Sequence, residues 1–599
     1  MVGKLDPPAK LILGISMRIA IIDKDRCQPR KCTYECQRFC PKVRTGDETV
    51  IIGDDRKPVI SEELCVGCGI CIKKCPFDAI MIIQLSEELR ERETHRYGAN
   101  GFALYGLPIP QEGRVTGILG QNGIGKTTAI RILAGDLKPN LGGENPPWDE
   151  IISHYRGSEL QEYMRRISRG EIRVVQKPQH IDLIASMGGD VHELFPDERE
   201  VNELMVRLDI DHILDRRIAD LSGGELQRVA IAMCISKDAD FYFFDEITPY
   251  LDIHQRIKAA KLIRETSKES TVVIVEHDLA ILDLLADAVH IAYGTPGGYG
   301  VIAHPKGVRV GINEYLRGFL PEENIRIRPE EIKFEVHAPR AQKEIFVLAQ
   351  FDGFMKRYPE FTLDIEGGEV RRGEVMGIVG PNAIGKTTFA KILAGLIKPD
   401  VGSIDLDLKI SYKPQYIKRE RDIRVDKFLR SITERFGSSY YNTEIIRLLQ
   451  LERLLDQNMA DLSGGELQRV AIAACLSREA DLYILDEPSA HLDVEQRALA
   501  TKMIRRFAEN NDVSVMIVDH DIYMIDLLSD RLMVFEGEPS VKGNALDPFE
   551  MREGMNCFLK KVEITFRRDE ESKRPRVNKL GSKLDREQKA KGEYYYQEL

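Results

Sequence analysis

The chain has 599 residues, of which 43% are hydrophobic and 30% are charged, and this length predicts about four domains. Its formal net charge of -11 excludes a uniformly basic nucleic-acid-binding protein, so any contact with nucleic acid must come from local patches. No segment approaches the ~20 consecutive apolar residues of a membrane-spanning helix, and the early apolar stretch is too short for a signal-peptide core. We therefore expect a soluble cytoplasmic protein.

Cysteines are concentrated near the N-terminus, where eight of the 11 lie between Cys27 and Cys75. In a chain without export signals, such a cluster indicates metal rather than disulfides. The second of two runs fits the bacterial ferredoxin pattern C-x2-C-x2-C-x3-C-P, at Cys65, Cys68, Cys71 and Cys75. The first run is a looser C-x4-C-x3-C-x3-C-P counterpart, at Cys27, Cys32, Cys36 and Cys40.

The two runs predict two [4Fe-4S] clusters in a ferredoxin-like α+β domain. In two-cluster ferredoxins the fourth cysteine of each run binds the other cluster. We therefore assign one cluster to Cys27, Cys32, Cys36 and Cys75, and the second to Cys65, Cys68, Cys71 and Cys40. Two zinc knots are the alternative that C-x2-C pairs permit. No flavin or nicotinamide fingerprint accompanies the cysteines, so a structural role for the clusters stands beside electron transfer.

The rest of the chain is an internal repeat. Residues 117–140 return as 377–400 and residues 220–236 return as 461–477, so two homologous halves follow the cysteines. The first half is longer, and we place its insertion at residues 146–171, whose apolar spacing predicts a small helical hairpin on the surface. In both halves apolar strand-like runs alternate with helical patterns, which predicts an α/β fold with a largely parallel buried sheet.

Each half contains a phosphate-binding loop, GQNGIGKT at residues 120–127 and GPNAIGKT at residues 380–387, between an apolar strand and a helix. Glycines let the backbone N–H groups point at the phosphates, while the lysine neutralises the β- and γ-phosphates and the threonine can bind Mg²⁺. The predicted ATP-binding residues are Gly120, Asn122, Gly123, Gly125, Lys126, Thr127, Thr128, Gly380, Asn382, Gly385, Lys386, Thr387 and Thr388.

An apolar strand that ends in Asp-Glu follows each loop. The aspartates are predicted to hold Mg²⁺ through water, alongside the loop threonines, which gives Thr127 with Asp245 and Thr387 with Asp486. The adjacent Glu246 and Glu487 stand where a carboxylate polarises the attacking water.

The string LSGGELQR occurs in both halves. Taken in order with the phosphate loop, the Asp-Glu strand and a later strand-His pair, it resembles the cassette of ABC-type ATPases. The resemblance implies two cassettes arranged head to tail, with each ATP between the phosphate loop of one and the signature of the other. The signature residues would then be Ser222, Gly223 and Gly224 opposite Lys386, and Ser463, Gly464 and Gly465 opposite Lys126.

The same resemblance implies further roles. Gln179 and Gln415 would contact Mg²⁺ and the attacking water. His277 and His520 would act as γ-phosphate switches. Contacts between the cassettes would be made by Asp252 and Asp493.

The two halves differ at two points. Ala383 stands where the first loop has Gly123, and a need for positive φ at this position would impair the second site. The first half reads DEITPYLD, with Ile247 and Thr248, where the second reads DEPSAHLD. We therefore expect the two sites to turn over unequally.

Aromatic residues precede both phosphate loops, with Tyr97 and Phe102 before the first and Tyr358 and Phe361 before the second. These side chains could stack on adenine, although aromatics on strands more often belong to the core.

The full order of motifs resembles one family. The cysteine-rich domain, the tandem cassettes, the insertion and the segments RYGANGF, RGSEL and VEITFRRD are similar to the E subfamily of ABC ATPases, the ribosome-recycling RNase L inhibitor family of archaeal type. The resemblance begins at Met17, which could be the natural start in place of Met1. The predicted parts are an N-terminal extension (1–16), a ferredoxin-like domain (17–85), the first nucleotide-binding domain (86–312), a hinge (313–335), the second nucleotide-binding domain (336–546) and a C-terminal hinge and basic tail (547–599).

This resemblance implies that ATP-driven closure swings the iron-sulfur domain against the ribosomal subunit interface and splits post-termination or stalled ribosomes. The implied partners are a release factor or its surveillance paralogue, the small ribosomal subunit with its rRNA, on which the protein remains, and translation initiation factors. RGSEL, at residues 156–160, is implied to face rRNA. The chain itself is expected to be a monomer.

Two basic stretches, residues 10–44 and 560–591, could meet RNA phosphate, although a solvated charged face explains such runs equally well. An ATP-gated scaffold that binds the ribosome or initiation factors without doing work remains an alternative function, and a redox-coupled ATPase is another. A transporter subunit is the other ABC interpretation, but the sequence neither supplies nor recruits a membrane domain.

Overall fold

The computed structural model describes residues 16–24, 26–86, 89, 91–177, 181–195, 198–333, 346–404, 406–415 and 423–595. The chain divides into two compact units. The first comprises the described parts of Met1–Ile109, Gly120–Arg173 and His290–Pro305, and the second those of Pro110–Leu119, Val174–Val289 and Lys306–Leu599. Within these described residues, no helix is long and apolar enough to cross a bilayer. Nearly all of the predicted N-terminal extension, residues 1–15, lies outside the described residues.

The cysteine-rich part of the first unit is built on two antiparallel ribbons. Ser16–Ile22 pairs with Ile80–Ser86 over its whole length, and Val50–Ile52 pairs with Pro58–Ile60. Four short helical segments carry or adjoin the cysteines, at Pro29–Lys31, Glu35–Arg38, Pro41–Arg44 and Ile70–Lys74. A small core fills the space between them, formed by Ala20, Ile22, Cys36, Val50, Ile60 and Ile80. The predicted ferredoxin-like α+β domain is confirmed.

A buried asparagine, Asn100, joins this domain to the loop that follows Tyr97. Its side-chain oxygen accepts the N–H of Ile60 at 2.7 Å, and its amide nitrogen donates to the carbonyls of Ala20 at 2.9 Å and Ile60 at 2.8 Å. The backbone carbonyl of Asn100 accepts the N–H of Ile22 at 2.8 Å. Four hydrogen bonds therefore fix this loop on the cysteine-rich domain.

The rest of the first unit holds strands and helices of the first cassette. Tyr299–Ile302 runs parallel to Ala103–Tyr105 and antiparallel to Ala288–Thr295, and Glu93–Arg96 pairs antiparallel with Ala103–Tyr105. The helix after the first phosphate loop is Lys126–Leu133. The predicted insertion forms the two helices Trp148–His154 and Glu159–Ser168. Tyr155 donates a hydrogen bond to Thr94, and Tyr163 donates one to the carbonyl of Leu133, so the hairpin packs firmly on its own unit.

In the second unit, the central strands contributed by the first cassette are parallel. Val115–Gly120, Thr271–Val275, Phe241–Asp245 and Val174–Lys177 lie side by side in that order. The first three are buried throughout, which is why they read as unbroken apolar runs. The helices here are Asp182–Ala185, Glu198–Arg207, Gly223–Ile235, Ile253–Thr266, Leu279–Leu285 and Val308–Arg317, with 3-10 turns at Val191–Leu194, Asp211–Ile213 and Ile218–Asp220.

Among its described residues, the second cassette forms a nine-stranded sheet within the same unit. Its strand order is Val347–Arg357, Thr362–Arg371, Lys542–Ala545, Arg531–Glu538, Val375–Val379, Ser514–Val518, Leu482–Asp486 and Ile410–Lys413, with Phe549–Glu550 paired to Arg531–Glu538. The strands from Arg531–Glu538 to Ile410–Lys413 are parallel, as predicted. Its helical segments are Lys386–Leu393, Val425–Ile432, Ser439–Tyr441, the π-helix Asn442–Arg447, the 3-10 turn Met459–Asp461, Gly464–Leu476, Val494–Asn511 and Ile522–Leu528.

The predicted hinge, residues 313–335, begins inside the helix Val308–Arg317 and continues through the short paired strands Phe319–Leu320 and Ile325–Arg326. Its last two residues lie outside the described part of the chain. A further short strand, Lys306–Gly307, precedes the helix.

The C-terminal segment is folded, with helices Met551–Lys561 and Lys583–Lys591 and the antiparallel strands Phe566–Arg568 and Pro575–Val577. Arg574 is fully buried and binds Asp283 through both guanidinium nitrogens, and Arg576 binds the same carboxylate at 3.1 Å. Arg568 binds Asp526 at 2.7 Å. Buried aspartates from distant helices therefore neutralise these three arginines of the predicted basic stretch.

Candidate active site

The second phosphate-binding loop joins the buried strand Val375–Val379 to the helix Lys386–Leu393. Gly385 precedes the helix with φ of 98°, and a Cβ there would lie 2.8 Å from Leu363 Cδ1, so only glycine fits. Lys386 Nζ donates to the carbonyls of Gly380 at 2.9 Å and Pro381 at 2.5 Å. Burial lowers the pKa of Lys386 to about 8. A phosphate placed against this ammonium group would favour its charged form.

The departure at Ala383 falls on a backbone position of positive φ. Ala383 has φ of 55°, and Gly123 at the equivalent point of the first loop has φ of 77°. Both carbonyls are held by a neighbouring turn, that of Ala383 by the N–H of Ser540 and that of Gly123 by the N–H of Gly297, each at 3.0 Å. The second loop therefore carries local strain that the first avoids.

The second phosphate loop meets the first cassette directly. The N–H of Asn382 donates to Asp252 Oδ2 at 2.8 Å, and the Asn382 side-chain amide donates to the carbonyl of Tyr250 at 3.0 Å. A cavity of about 1650 Å³ opens beside these contacts. Its lining includes Lys386, Thr387 and Thr388 from the second cassette and Ser222, Gly223 and Gly224 from the first. The signature of one cassette and the phosphate loop of the other therefore face the same space.

The residues that the first cassette contributes to this cavity begin two helices. Each of these helices has a capping box at its N-terminus. Ser222 accepts the N–H of Glu225, and the Glu225 carboxylate accepts the N–H of Ser222, which forms a capping box at the start of Gly223–Ile235. Asp252 and Gln255 form the equivalent box at the start of Ile253–Thr266. Because helix N-termini present free N–H groups and positive potential, the signature end of this cavity is suited to anionic phosphate.

Glu487 stands at the end of strand Leu482–Asp486 in a left-handed conformation with φ of 48°. Its Oε1 accepts a hydrogen bond from Gln415 Nε2 at 2.7 Å and lies 3.8 Å from His520 Nε2. Burial, with added repulsion from Asp519 and Asp486, raises the pKa of Glu487. A carboxylate with a raised pKa next to a glutamine and a histidine is suited to accept a proton from water.

Asp486 and Thr387 form a candidate cation site beside this glutamate. Asp486 Oδ2 accepts a hydrogen bond from Tyr412 at 3.2 Å, and burial raises the pKa of Asp486 while the Thr387 hydroxyl lowers it. Asp486 Oδ1 is buried and has no hydrogen-bond partner among the described residues. An oxygen-rich pair with one unused carboxylate oxygen fits a hard divalent cation such as Mg²⁺.

His520 is buried on the floor of the same site. Burial, with added repulsion from Lys386 and Arg256, lowers the pKa of His520 well below its usual value, so the imidazole is neutral at pH 7. Arg256 of the first cassette donates to the backbone carbonyl of His520 at 3.3 Å and also binds Asp278 at 2.7 Å. The arginine thus joins the two segments that carry the predicted switch histidines.

The second unit also contains the strand-end residues of the first cassette. Glu246 is left-handed with φ of 50°, and its Oε1 lies 3.8 Å from His277 Nε2. Asp245 precedes it at the end of strand Phe241–Asp245. Gln179 lies outside the described residues.

The Ile247-Thr248 departure keeps the hydrogen bonds made by residue 248 and adds one, because the N–H of Ile247 donates to Glu276 at 3.1 Å, whereas its counterpart Pro488 has no N–H. Thr248 Oγ1 donates to Glu276 at 2.8 Å, as Ser489 Oγ donates to Asp519 at 2.6 Å in the second cassette. The backbone N–H groups of Thr248 and Ser489 reach the same carboxylates, at 3.2 Å and 2.9 Å. In this part of the chain, therefore, the two cassettes are built alike despite their different sequences.

The first unit carries the first phosphate loop. Lys126 Nζ donates to the carbonyls of Gly120 at 2.8 Å and Gln121 at 2.7 Å, and to Asn122 Oδ1 at 3.3 Å. Gly125 begins the helix with φ of 86°, and a Cβ there would lie 2.6 Å from the ring of Phe102. The loop therefore has the same form as the second, with the lysine folded onto its own backbone.

The other predicted site residues are the aromatic pairs near the phosphate loops and the residues that cap two helices of the second cassette. Tyr97 is 42% exposed beside Phe102, with ring centroids 6.5 Å apart, and its hydroxyl lies 3.4 Å from Thr128 Oγ1. Tyr358 is 41% exposed and stacks on Phe361 with the same centroid spacing, and both line the cavity. Ser463 caps the second signature helix, which starts with Gly464 and Gly465, and Asp493 caps Val494–Asn511.

The cysteines gather into two groups, one of which joins the two runs, since Cys75 lies near Cys27, Cys32 and Cys36. Burial raises the pKa of Cys36 to about 11, and the neighbouring thiols of Cys75, Cys27 and Cys32 add to this effect. Burial and the nearby thiols of Cys65 and Cys68 likewise raise the pKa of Cys71 to about 11. Sets of close thiols that repel one another as thiolates fit a cationic iron-sulfur core, which would stabilise the thiolate form.

Two buried lysines that hold the strand-end backbone were not predicted from the sequence. Lys413 Nζ donates to the carbonyls of Asp486 at 2.7 Å and Glu487 at 3.2 Å, and burial lowers its pKa to about 8. Lys177 donates to the carbonyl of Asp245 at 3.0 Å in the first cassette. The repeated KPQ tripeptide was the available signal, since a lysine that is buried at the end of a strand needs an internal acceptor.

The paired phosphate loops, signature helices and strand-end carboxylates define an ABC-type ATPase. The "ABC transporter" family model matches residues 110–249 and 367–490. The model described as "Possible Fer4-like domain in RNase L inhibitor, RLI" matches residues 17–48, and the "4Fe-4S binding domain" model matches residues 58–81. The chain therefore hydrolyses ATP and carries an iron-sulfur domain of the 4Fe-4S type.

The chain belongs to the RNase L inhibitor family of ABC ATPases, the E family. It is 44% identical to "Translation initiation factor RLI1" of Saccharomyces cerevisiae over 97% of this chain and 98% of that protein. It matches the structure "Model of ribosome-bound archaeal Pelota and ABCE1" with 53% identity and a TM-score of 0.91, covering 97% of this chain and all of that one. A second structure, a "complex of archaeal ribosomal stalk protein aP1 and archaeal ribosome recycling factor aABCE1", matches with 52% identity and a TM-score of 0.82 over 85% of this chain and 100% of that one.

Proposed function

We propose that the chain is an ATP-driven ribosome recycling factor. It splits post-termination or stalled ribosomes together with a release factor or its surveillance paralogue, remains on the small subunit and links termination to initiation. The observation that carries the proposal is the docking of the second phosphate loop, through Asn382, on Asp252 and Tyr250 of the first cassette. Membership of a family whose relatives are described as a recycling factor and as an initiation factor supports the assignment of this ATPase to the ribosome.

ATP binding closes the second site in this proposal. Lys386 leaves its backbone carbonyls for the β- and γ-phosphates, while the signature residues Ser222, Gly223 and Gly224 approach the γ-phosphate from the first cassette. Because the two groups of donors lie on different cassettes, the triphosphate holds the cassettes together and hydrolysis releases them. By the repeat, the first site consists of Lys126 and its loop with Ser463, Gly464 and Gly465.

Hydrolysis relies on Glu487 in the second site and Glu246 in the first. Glu487 accepts the proton of the attacking water, Gln415 orients that water, and neutral His520 contacts the γ-phosphate. Thr387, Gln415 and Asp486 would hold Mg²⁺, with Thr127, Gln179 and Asp245 as their counterparts, and Mg²⁺ when bound neutralises phosphate charge. Tyr97 with Phe102 and Tyr358 with Phe361 flank the bases.

Two [4Fe-4S] clusters occupy the cysteine-rich domain in this proposal, one on Cys27, Cys32, Cys36 and Cys75, the other on Cys65, Cys68, Cys71 and Cys40. The clusters tie together short helices that have little core of their own. The domain is therefore a rigid lever, and its motion delivers the work of the cassettes to the ribosome. The RGSEL segment of the insertion, residues 156–160, faces rRNA, and the protein acts in the cytoplasm.

Sedimentation of ribosomes tests this function. Whole ribosomes incubated with the purified chain, ATP and a release factor should separate into subunits, whereas the chain with a non-hydrolysable ATP analogue provides the reference for binding alone. Glu487→Gln should trap the chain on the small subunit, because closure occurs without reset. Ribosome profiles that stay unchanged while the chain co-sediments would favour an ATP-gated scaffold.

A further inference from the structure

A glutamine on each signature helix contacts the backbone of a catalytic glutamate. Gln227 Nε2, on helix Gly223–Ile235, donates to the carbonyl oxygen of Glu246 at 2.8 Å. Gln468 Nε2, on helix Gly464–Leu476, donates to the carbonyl oxygen of Glu487 at 2.5 Å. Both glutamines are only 2% exposed, so water cannot replace either hydrogen bond.

The glutamates need such support because their backbone is strained. Glu246 and Glu487 have φ of 50° and 48°, a left-handed conformation that a residue with a Cβ keeps only when its surroundings impose it. The N–H of Glu246 donates to the carbonyl of Val275 at 2.9 Å, and that of Glu487 donates to Val518 at 2.7 Å. Each glutamate is therefore held at its N–H by the strand before the switch histidine and at its carbonyl by the signature helix, which is joined at Glu487 by Lys413.

The first signature helix connects two different sites. Its N-terminal residues, Ser222, Gly223 and Gly224, line the cavity that contains Lys386 and Thr387 of the second phosphate loop. Its second turn carries Gln227, which binds Glu246 of the first cassette. A capping box fixes the first turn, so a displacement of the N-terminus by bound nucleotide moves Gln227 with it.

We propose that Gln227 is a positioning residue through which nucleotide at the second phosphate loop sets the orientation of Glu246, the glutamate of the opposite site. Gln468 plays the same part for Glu487. The inference rests on the proposed catalytic roles of the two glutamates. Gln227 acts through the main chain of Glu246, so its loss should remove the response of the hydrolytic rate at one site to occupancy of the other.

The test measures hydrolysis at the first site with the second site either filled or empty. Glu487→Gln keeps ATP in the second site without cleaving it, and Lys386→Ala empties that site. We define the coupling between the sites as the ratio of the single-turnover hydrolysis rates of these two variants. Both rates are measured on the isolated protein. With Gln227 present the ratio should differ from one by at least about 5-fold, the low end of allosteric coupling. Adding Gln227→Met, which keeps the length and removes the donor, should bring the ratio close to one.

Val229→Ala is the matched control on the same helix, because Val229 is fully buried and removal of its methyl groups weakens packing. This variant should lower the melting temperature at least as much as Gln227→Met and keep the coupling ratio. Nucleotide binding, followed with a fluorescent ATP analogue, should be unchanged in Gln227→Met. A coupling that survives in Gln227→Met, or that disappears equally in Val229→Ala, would overturn the proposal.

Further variants distinguish a failure of this proposal from a failure of the catalytic assignments on which it rests. Hydrolysis that persists in Glu246→Gln combined with Lys386→Ala would refute the catalytic role of Glu246 itself. If Gln227→Met fails to fold, Gln468→Met tests the same inference on second-site hydrolysis, with Glu246→Gln and Lys126→Ala as the filled and empty chains. Because no ribosome is present, the result does not depend on ribosome splitting.

Discussion

At the scale of single residues, the most informative difference between the two nucleotide sites is Ala383. The sequence places alanine where the first loop has glycine, and the structure gives both positions positive φ. Alanine in this region costs roughly 1–2 kcal/mol more than in its preferred conformations. The second site therefore keeps its loop geometry through surrounding contacts rather than through residue preference.

Ala383→Gly should raise the free energy of unfolding by about 1 kcal/mol, because it removes this strain at a modest cost in chain entropy. Gly123→Ala should lower it by about 1 kcal/mol; an added Cβ would meet nothing closer than Pro296 Cβ at 3.4 Å, so the change reports backbone strain alone. Urea unfolding curves of the two variants measure both effects. Shifts in the same direction would contradict this account of the loops.

A buried histidine makes the first unit sensitive to acid. His290 accepts the N–H of Ile109 at 3.1 Å through Nε2, while Nδ1 faces the carbonyl of Ala303 at 2.8 Å, and burial lowers the pKa of His290 to about 4. Below about pH 6.5 the unfolded chain takes up a proton that the folded chain refuses. Relative to His290→Gln, the natural chain should therefore lose up to about 3 kcal/mol of stability between pH 6.5 and 4. Parallel pH dependences in urea unfolding of the two chains would show that His290 titrates normally.

At the scale of secondary-structure elements, the contact between cassettes depends on a helix cap that serves two purposes. Asp252 Oδ1 accepts the N–H of Gln255 at 2.9 Å and so caps Ile253–Thr266, while Oδ2 accepts the N–H of Asn382 at 2.8 Å. The helix and the opposing phosphate loop therefore share one carboxylate. A rotation of this carboxylate would therefore change both the helix cap and the contact with the phosphate loop.

Asp252→Asn should separate the two purposes, because the amide oxygen still caps the helix and the amide nitrogen cannot accept the N–H of Asn382. We expect this variant to keep its stability and to lose ATPase activity. Asp252→Ala should lose activity and also about 1 kcal/mol of stability, the usual cost of a lost N-cap. Steady-state hydrolysis and urea unfolding of both variants check this, and full activity of Asp252→Asn would argue against a role in closure.

Local motifs within single elements could be predicted from the sequence, whereas contacts between distant elements could not. The phosphate loops, the signature helices and the strand-end carboxylates were predictable, because each is a local pattern whose residues act within one turn or one strand end. The partners of Lys177 and Lys413 were not, because the acceptor of a buried lysine is not restricted to nearby sequence. Here it lies 68 residues from Lys177 and 73 from Lys413.

At the scale of the whole molecule, the C-terminal segment binds two helices that follow the predicted switch histidines. Arg574 and Arg576 bind Asp283 on helix Leu279–Leu285, and Arg568 binds Asp526 on helix Ile522–Leu528. Tyr523, on the latter helix, donates a hydrogen bond to Asp283 at 3.4 Å. Composition alone showed a basic stretch and could not reveal these pairings, because the acidic partners of Arg574 and Arg568 stand 291 and 42 residues away.

Arg574→Ala should destabilise the chain by roughly 3 kcal/mol or more, because it leaves a fully buried aspartate with one fewer counter-charge. Lys583→Ala is the control, since the Lys583 side chain is 85% exposed and its loss should change stability by less than about 0.5 kcal/mol. Urea unfolding measures both. A small effect in Arg574→Ala would mean that Arg576 alone compensates Asp283.

The buried amide of Asn100 bears on how the iron-sulfur domain can move. Because four hydrogen bonds join the Asn100 residue to the strands at Ala20, Ile22 and Ile60, the cluster-bearing domain cannot tilt independently of the loop between Tyr97 and Phe102. A rocking motion would drag these two rings, which border the first phosphate loop, along with it. Force exerted on this domain from outside would consequently be transmitted to the aromatic pair beside the first phosphate loop.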